Sequence, residues 1–147
     1  MKREEAERKI VNALIENSRQ SFRELARKTK MSAVTAMNRV KELEKKGVIK
    51  KYTTLVDYEK LGYDLIAIIF IKVTKGKFRD VAEKIGLHRN VSAVYDITGE
   101  NDSLVIARFP SRRSMDEFLK KIQTYDFVEK TTTSIVLSTL KEEPMAV

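Results

Sequence analysis

Cysteine is absent from this chain of 147 residues, and so is tryptophan. Without cysteine there are no disulfides and no cysteine-based metal sites, which is compatible with a reducing cytosol, and a cytoplasmic location is expected. Aromatic residues make up only 7%, too few for an RNA-binding surface built on base stacking. Long hydrophobic runs are missing as well. The longest, Leu65-Ile66-Ala67-Ile68-Ile69-Phe70-Ile71, falls far short of the ~20 residues a membrane-crossing helix needs. No membrane partner is expected. The start, Met1-Lys2-Arg3-Glu4-Glu5, reads as charged and helical rather than as a signal peptide. No internal repeat, low-complexity tract, nucleotide-binding glycine loop, metal-ligand cluster or nucleophile–base pairing is visible. No cofactor is expected.

What is present is a foldable and unevenly charged chain. Hydrophobic residues make up 42% and charged residues 34%, enough apolar material for a packed core. The formal charge is +8. Residues 1–60 hold 16 Lys/Arg against 9 Asp/Glu, and residues 61–147 hold 13 against 12. The surplus therefore lies almost wholly in the first part, which suits a polyanion-binding module followed by a near-neutral one. A solubilising surface is the plainer alternative. Abundant Lys, Arg and Glu, with only Gln20 and Gln123 as glutamines, resembles thermophile usage.

Residues 4–17 read as a helix with Ile10, Val11, Leu14 and Ile15 as its apolar stripe. Ser21, with Glu24 three residues on, forms a capping-box pattern for a second helix that turns Phe22, Leu25 and Ala26 inward and ends near Lys28. After Thr29-Lys30-Met31, Ser32 caps a third helix over about 33–46, with Ala36, Val40 and Leu43 as its inner line and Gly47 as its stop. Three helices with a tight turn between the last two make a helix-turn-helix. Residues 48–56 read as a linking strand with mixed faces, and the domain boundary is set at 56/57.

The second part, 57–147, reads as strand, helix, strand, strand, helix, strand. The elements are Leu65–Thr74, a helix over 77–87 with Val81, Ala82 and Ile85 inward, Val91–Thr98, Ser103–Phe109, a helix running to Thr124, and Val128–Leu140. The last helix carries Met115, Phe118, Leu119 and Ile122 inward, with a Ser114/Glu117 capping box near its start. Gly99-Glu100-Asn101-Asp102 is the turn between the second and third strands. The order βαββαβ is ferredoxin-like, so the fold class is α+β. The tail from Lys141 reads as loose.

These residues resemble the Lrp/AsnC (leucine-responsive/asparagine regulator, "feast/famine") family of transcription regulators. Leu25-Ala26, Met31-Ser32, Arg39-Val40, Leu43-Glu44, Gly47-Val48-Ile49, Tyr52 and Asp57 look like its helix-turn-helix. Leu61-Gly62, Val94-Tyr95, Thr98-Gly99, Asp102, Val128-Glu129, Thr131, Thr133 and Ile135-Val136-Leu137 look like its effector-binding domain. Two departures stand out: Lys30 replaces the family's usual turn glycine, and Ala36 a larger β-branched residue. The resemblance implies a regulator rather than an enzyme, binding double-stranded DNA as a homodimer or octamer and responding to an amino acid bound near the strand-to-strand turn.

With Ala36, Val40 and Leu43 turned inward, Ala33, Val34, Met37, Asn38 and Lys41 face outward on the third helix. Asn38 suits an adenine edge, Thr35 a base or phosphate, and Val34 and Met37 thymine methyls. Ser32 sits where backbone N–H groups favour a phosphate. Arg23, Lys41 and Lys30 are phosphate candidates. Arg39 is left open between the DNA backbone and an acid of its own module. For an amino-acid effector, Asp102 or Glu100 suits the ammonium. Gly99, Thr131, Thr133 and Ser134 offer N–H or hydroxyl donors, Asn101 completes the turn, and Tyr95 offers an apolar wall with a polar tip. A plain hairpin turn, with Asp102 bonded to its own backbone, is the alternative. Two rival functions remain: an architectural DNA-binding protein without effector, and an enzyme like the siroheme decarboxylases that resemble this family in fold and rely on histidine and arginine. For the latter, His88-Arg89 is the only candidate pair, and a lone histidine at a helix end reads more simply as surface or capping.

Overall fold

The computed structural model describes residues 3–147; of the charged start expected to be helical, Met1 and Lys2 lie outside the described residues. The chain divides into two compact units, one comprising the residues up to Leu55 with Lys141–Val147, the other Val56–Leu140.

Three helices build the first unit: α1 (Arg3–Glu16), α2 (Phe22–Thr29) and α3 (Ala33–Lys45). Its core is Ile10 and Ala13 of α1, Leu25 and Ala26 of α2, and Ala36, Val40 and Leu43 of α3. The inner line of α1 runs Ala6, Ile10, Ala13, with Val11 and Leu14 half-buried beside it. Ile15, expected inward, is exposed, because it lies roughly 200° around the helix from Ala13. Phe22, also expected inward, is 44% exposed, since it opens α2 at the rim of the core rather than over it.

The helix ends follow local chemistry. The Ser21 hydroxyl accepts the Glu24 N–H at 3.2 Å, while the Glu24 carboxylate accepts the Ser21 N–H at 2.7 Å. The Ser32 hydroxyl caps α3 by accepting the Thr35 N–H at 3.0 Å. Between them the chain turns at Lys30, with φ 56° and ψ 48°. Past Gly47 the N–H groups of Val48 and Ile49 both return to the Leu43 carbonyl, at 2.9 and 3.2 Å. The strand expected over 48–56 does not form; the stretch is irregular, for a strand is defined by a partner's N–H and C=O groups as well as by its own sequence. The tail, expected to be loose and grouped with the second domain, belongs to the first unit. The Asn12 amide holds Val147 from both sides, donating to its carbonyl at 2.7 Å and accepting its N–H at 2.9 Å. Pro144 joins Val11, Leu14, Ile15, Val48 and Leu55 around a shallow apolar groove.

The second unit is an antiparallel sheet of β1 (Leu65–Val73), β2 (Val91–Asp96), β3 (Ser103–Phe109) and β4 (Val128–Ile135), in the order β2-β3-β1-β4. With the helices between β1 and β2 and between β3 and β4, this is the expected βαββαβ ferredoxin-like arrangement, and the molecule is α+β. One face packs its alternate residues, Ala67, Ile69, Ile71, Val105, Ala107 and Phe109, against the helices. The helix expected over 77–87 is a single α-turn, α4 (Phe78–Asp80), continued by a π-helical turn, Val81–Ile85. Gly86 donates to the Val81 carbonyl at 2.9 Å, five residues back. The wider turn leaves Val81 and Ile85 buried but sends Ala82, expected inward, to the surface. Helix α5 (Arg112–Gln123) is capped by Ser111, which accepts the Ser114 N–H at 3.1 Å. The expected Ser114/Glu117 box is not used, and Glu117 instead meets Arg113 at 3.1 Å. Strand β4 stops at Ile135, short of the expected Leu140, which is exposed.

The register assigns the other sheet face. Ile68 stands opposite Ile106, Phe70 opposite Leu104, and Tyr95 opposite Leu104 on the far side. Ile66, Ile68, Phe70, Leu104 and Ile106 are half-buried, while α5 and the Val81–Ile85 turn pack on the opposite face.

Candidate nucleic-acid interface and ligand-sensing turn

Helix α3 projects a face of mixed chemistry. Its inner line, Ala36, Val40 and Leu43, is buried, so the positions between them must point away. Val34 is 63% exposed. Asn38 and Lys41 are exposed, and Ala33 and Met37 are half-buried at the margins. Thr35 and Ser32 are exposed, but their hydroxyls share a bond of 2.8 Å, and the Ser32 oxygen also receives the Thr35 N–H. Both are therefore committed first to starting the helix.

The cations of this unit sort into two groups. Arg3 pairs with Glu7 and Glu42, at 3.3 and 3.0 Å, and Lys46 with Glu7 at 2.9 Å, tying the start of α1 to the end of α3. The hydrogen bond from Lys46, ahead of that from Arg3, holds the Glu7 carboxyl below its usual range. Lys28 pairs with Glu16 at 2.9 Å. By contrast, Arg23, Lys30, Arg39 and Lys41 form no ion pair among the described residues. Arg39, left open by sequence, thus has no acidic partner there, although it lines a shallow cleft with Asn38, Thr35, Glu42 and Arg3. The participation of Arg3 could not be foreseen, because its bond to Glu42 spans 39 residues of chain.

The candidate ligand residues of the second unit do not converge within one chain. Tyr95 is 54% exposed on the open sheet face, and Ser134, paired with Ile68, is on that face too. Thr131 and Thr133 pair with the buried Ile71 and Ile69 and so point to the helical side. The Thr131 hydroxyl accepts a bond of 3.1 Å from the Gln123 amide of α5. Gly99, at φ 121°, and Glu100 form the exposed tip of the turn, with Asn101 half-buried behind them. Asp102 is occupied in the sheet: its carboxylate accepts the Val73 N–H at 2.8 Å, and its own N–H donates to the Ile71 carbonyl at 3.0 Å. That carboxylate oxygen is engaged by the neighbouring strand, while the Asp102 carbonyl closes its own turn by accepting the Ile97 N–H at 3.0 Å.

His88 is half-buried, its ring edge-on to Phe118 with centroids 4.7 Å apart. Its Nδ1 accepts the Asn90 N–H at 3.3 Å. Burial, followed by the charges of Lys121 and Arg89, pushes its pKa below the ordinary 6.5. The ring packs on α5 and holds the turn at Asn90. Among the described residues no group of His, Asp and Glu is placed to hold a metal ion, and no helix is long and apolar enough to cross a membrane.

Comparison with known proteins places this geometry. Residues 66–146 match the model of the Lrp/AsnC ligand binding domain, and residues 3–50 that of a winged helix-turn-helix DNA-binding domain. An uncharacterized HTH-type transcriptional regulator of Pyrococcus furiosus is 46% identical over 97% of both chains. Among solved structures, AsnC of E. coli superposes with a TM-score of 0.88 at 26% identity, covering 97% of each chain. A transcriptional regulator of Neisseria meningitidis, in complex with L-Met, superposes with a TM-score of 0.89 at 25% identity, covering 100% of this chain and 96% of the other. The Pyrococcus relatives accord with the thermophile-like composition.

Proposed function

The chain belongs to the Lrp/AsnC family, as a transcriptional regulator with a helix-turn-helix and an Lrp/AsnC ligand-binding domain, and on that premise we propose that it binds specific double-stranded DNA through α3 as a homodimer whose binding or assembly an amino acid modulates. One observation carries the DNA part: the outward face of α3, with Val34, Met37, Asn38 and Lys41, lies among cations that no acid of the described residues neutralises. In this reading Asn38 reads a base edge. Val34 and Met37, with Ala33, provide apolar contacts, Thr35 and Ser32 sit at the helix mouth, and Arg23, Arg39 and Lys41 meet phosphates. The protein acts in the cytoplasm, where its DNA is.

A dimer follows from the open sheet face, whose Ile66, Ile68, Phe70, Leu104 and Ile106 form an apolar patch that a second copy would cover. A two-fold pair also presents two recognition helices to a pseudo-palindromic site. The effector part draws on the ligand-binding domain and on the L-Met complex of the Neisseria relative. Because Thr131 and Thr133 lie on the opposite sheet face from Tyr95 and Ser134, the effector site is completed by a neighbouring subunit at the Gly99–Asp102 turn.

The test is binding to the promoter of the protein's own gene against random duplex, at physiological salt, with and without pooled amino acids. Preference for the promoter that shifts with the pool is the expected result. Equal, salt-sensitive binding to both duplexes, indifferent to the pool, would identify an architectural protein instead.

A further inference from the structure

Each of the five glycines in this chain answers a steric need. Four, Gly47, Gly62, Gly76 and Gly99, stand at positive φ. The fifth, Gly86, stands where a Cβ would come within 2.5 Å of the Ala82 carbonyl oxygen. Against that pattern there is a single exception among the described residues. Lys30, at φ 56° and ψ 48°, is the one non-glycine in the left-handed region. Lysine has no short polar side chain with which to bond its own backbone there, as Asn or Asp can, and its Cβ crowds the following carbonyl.

The surroundings keep the turn in this form. Thr29 is buried, and its hydroxyl donates to the Leu25 carbonyl at 2.7 Å. Met31 packs on the helical core, and its N–H donates to the Ala26 carbonyl at 2.9 Å. Ser32 is already the cap of α3. Lys30 is thus the only side chain of the 29–31 connection that is exposed, two residues before the cap of the recognition helix. It forms no ion pair among the described residues. A glycine would satisfy the backbone at less cost, so the backbone does not explain the lysine.

We propose that Lys30 is a phosphate-contact residue of the DNA interface, kept at a strained turn position because its ammonium, carried to the mouth of α3, engages the duplex backbone. The inference rests on the DNA-binding reading of α3. Stability is exchanged for affinity at this one residue, and the exchange separates it from a lysine that merely complements the C-terminal dipole of α2.

The experiment uses the full chain and three variants, K30G, K30N and K30R. Each is measured for Tm and for the dependence of binding on salt, with promoter and random duplexes. K30G should raise Tm by about 2–4 °C through relief of the left-handed strain. It should also lower the slope of log K against log salt by about one per bound subunit. The loss should be equal on both duplexes, because a phosphate contact carries no sequence information. K30N should follow K30G in slope, and K30R should keep the wild-type slope. An unchanged slope in K30G, or a fall in its Tm, overturns the proposal while leaving DNA binding intact. Failure of the unmutated chain to bind any duplex would instead bring down the reading beneath it.

Discussion

Asp102 accepts the Val73 N–H just past the last β1–β3 pair, Ile71 with Ser103. Where a neighbouring strand ends, the next backbone donor on that side loses its ladder partner, and here a carboxylate supplies one. Asp102→Ala should therefore destabilise the second unit by about 1–3 kcal/mol, the cost of orphaning a partly buried donor, with Asp102→Asn losing less; thermal unfolding of the two variants checks it. On the DNA face, Asn38→Ala should cost about 1–3 kcal/mol and relax preference at one base pair. Equal binding of variant and parent to promoter and random duplex would remove Asn38 from the readout. His88 contributes a pH dependence. Its folded pKa lies below the unfolded 6.5, so the unfolded chain binds more protons in that window. The contribution is present above pH 6.5 and is lost as pH falls below it. Melting curves between pH 7.5 and 5.5 should show that decline, and His88→Asn should flatten it.

At the scale of elements, what is encoded locally is legible and what depends on a distant partner is not. The start of α2 is local: Ser21 and Glu24 carry both bonds of the capping box within four residues. Ser21→Ala should cost about 1 kcal/mol, visible as a lower Tm of the full chain. The inner line of α3 and the βαββαβ succession of elements can likewise be read from the sequence pattern. Residues 48–56 have the β-branched composition of a strand, yet pairing requires another chain segment that composition does not name. The π-turn at Val81–Ile85 escapes periodicity because one extra residue per turn moves Ala82 from the inner face to the outer. The candidate ligand residues fail to converge for a related reason. Alternation along β4 separates Thr133 from Ser134, but only the register with β1 decides which of them faces the helices.

The whole molecule concentrates its charge at one end of the sequence and leaves an apolar sheet face at the other. That face makes a prediction about assembly. Phe70→Asp should convert a dimer to a monomer in light scattering while leaving the helical and sheet signals of circular dichroism in place; a persisting dimer would move the interface elsewhere. The first unit, meanwhile, is assembled from both ends of the chain, with the Asn12 amide closed on the backbone of Val147, 135 residues later. This ordering matters during translation. At roughly 5–20 residues per second, the three helices leave the ribosome many seconds before the segment that Pro144 and Val147 bring to them. Throughout that interval the groove beside α1 faces water and the Asn12 amide has only solvent to bond. The first unit, although its helices precede the sheet in the chain, takes its finished form only after residues 141–147 are made, so an earlier release would leave α3 on an incompletely closed unit.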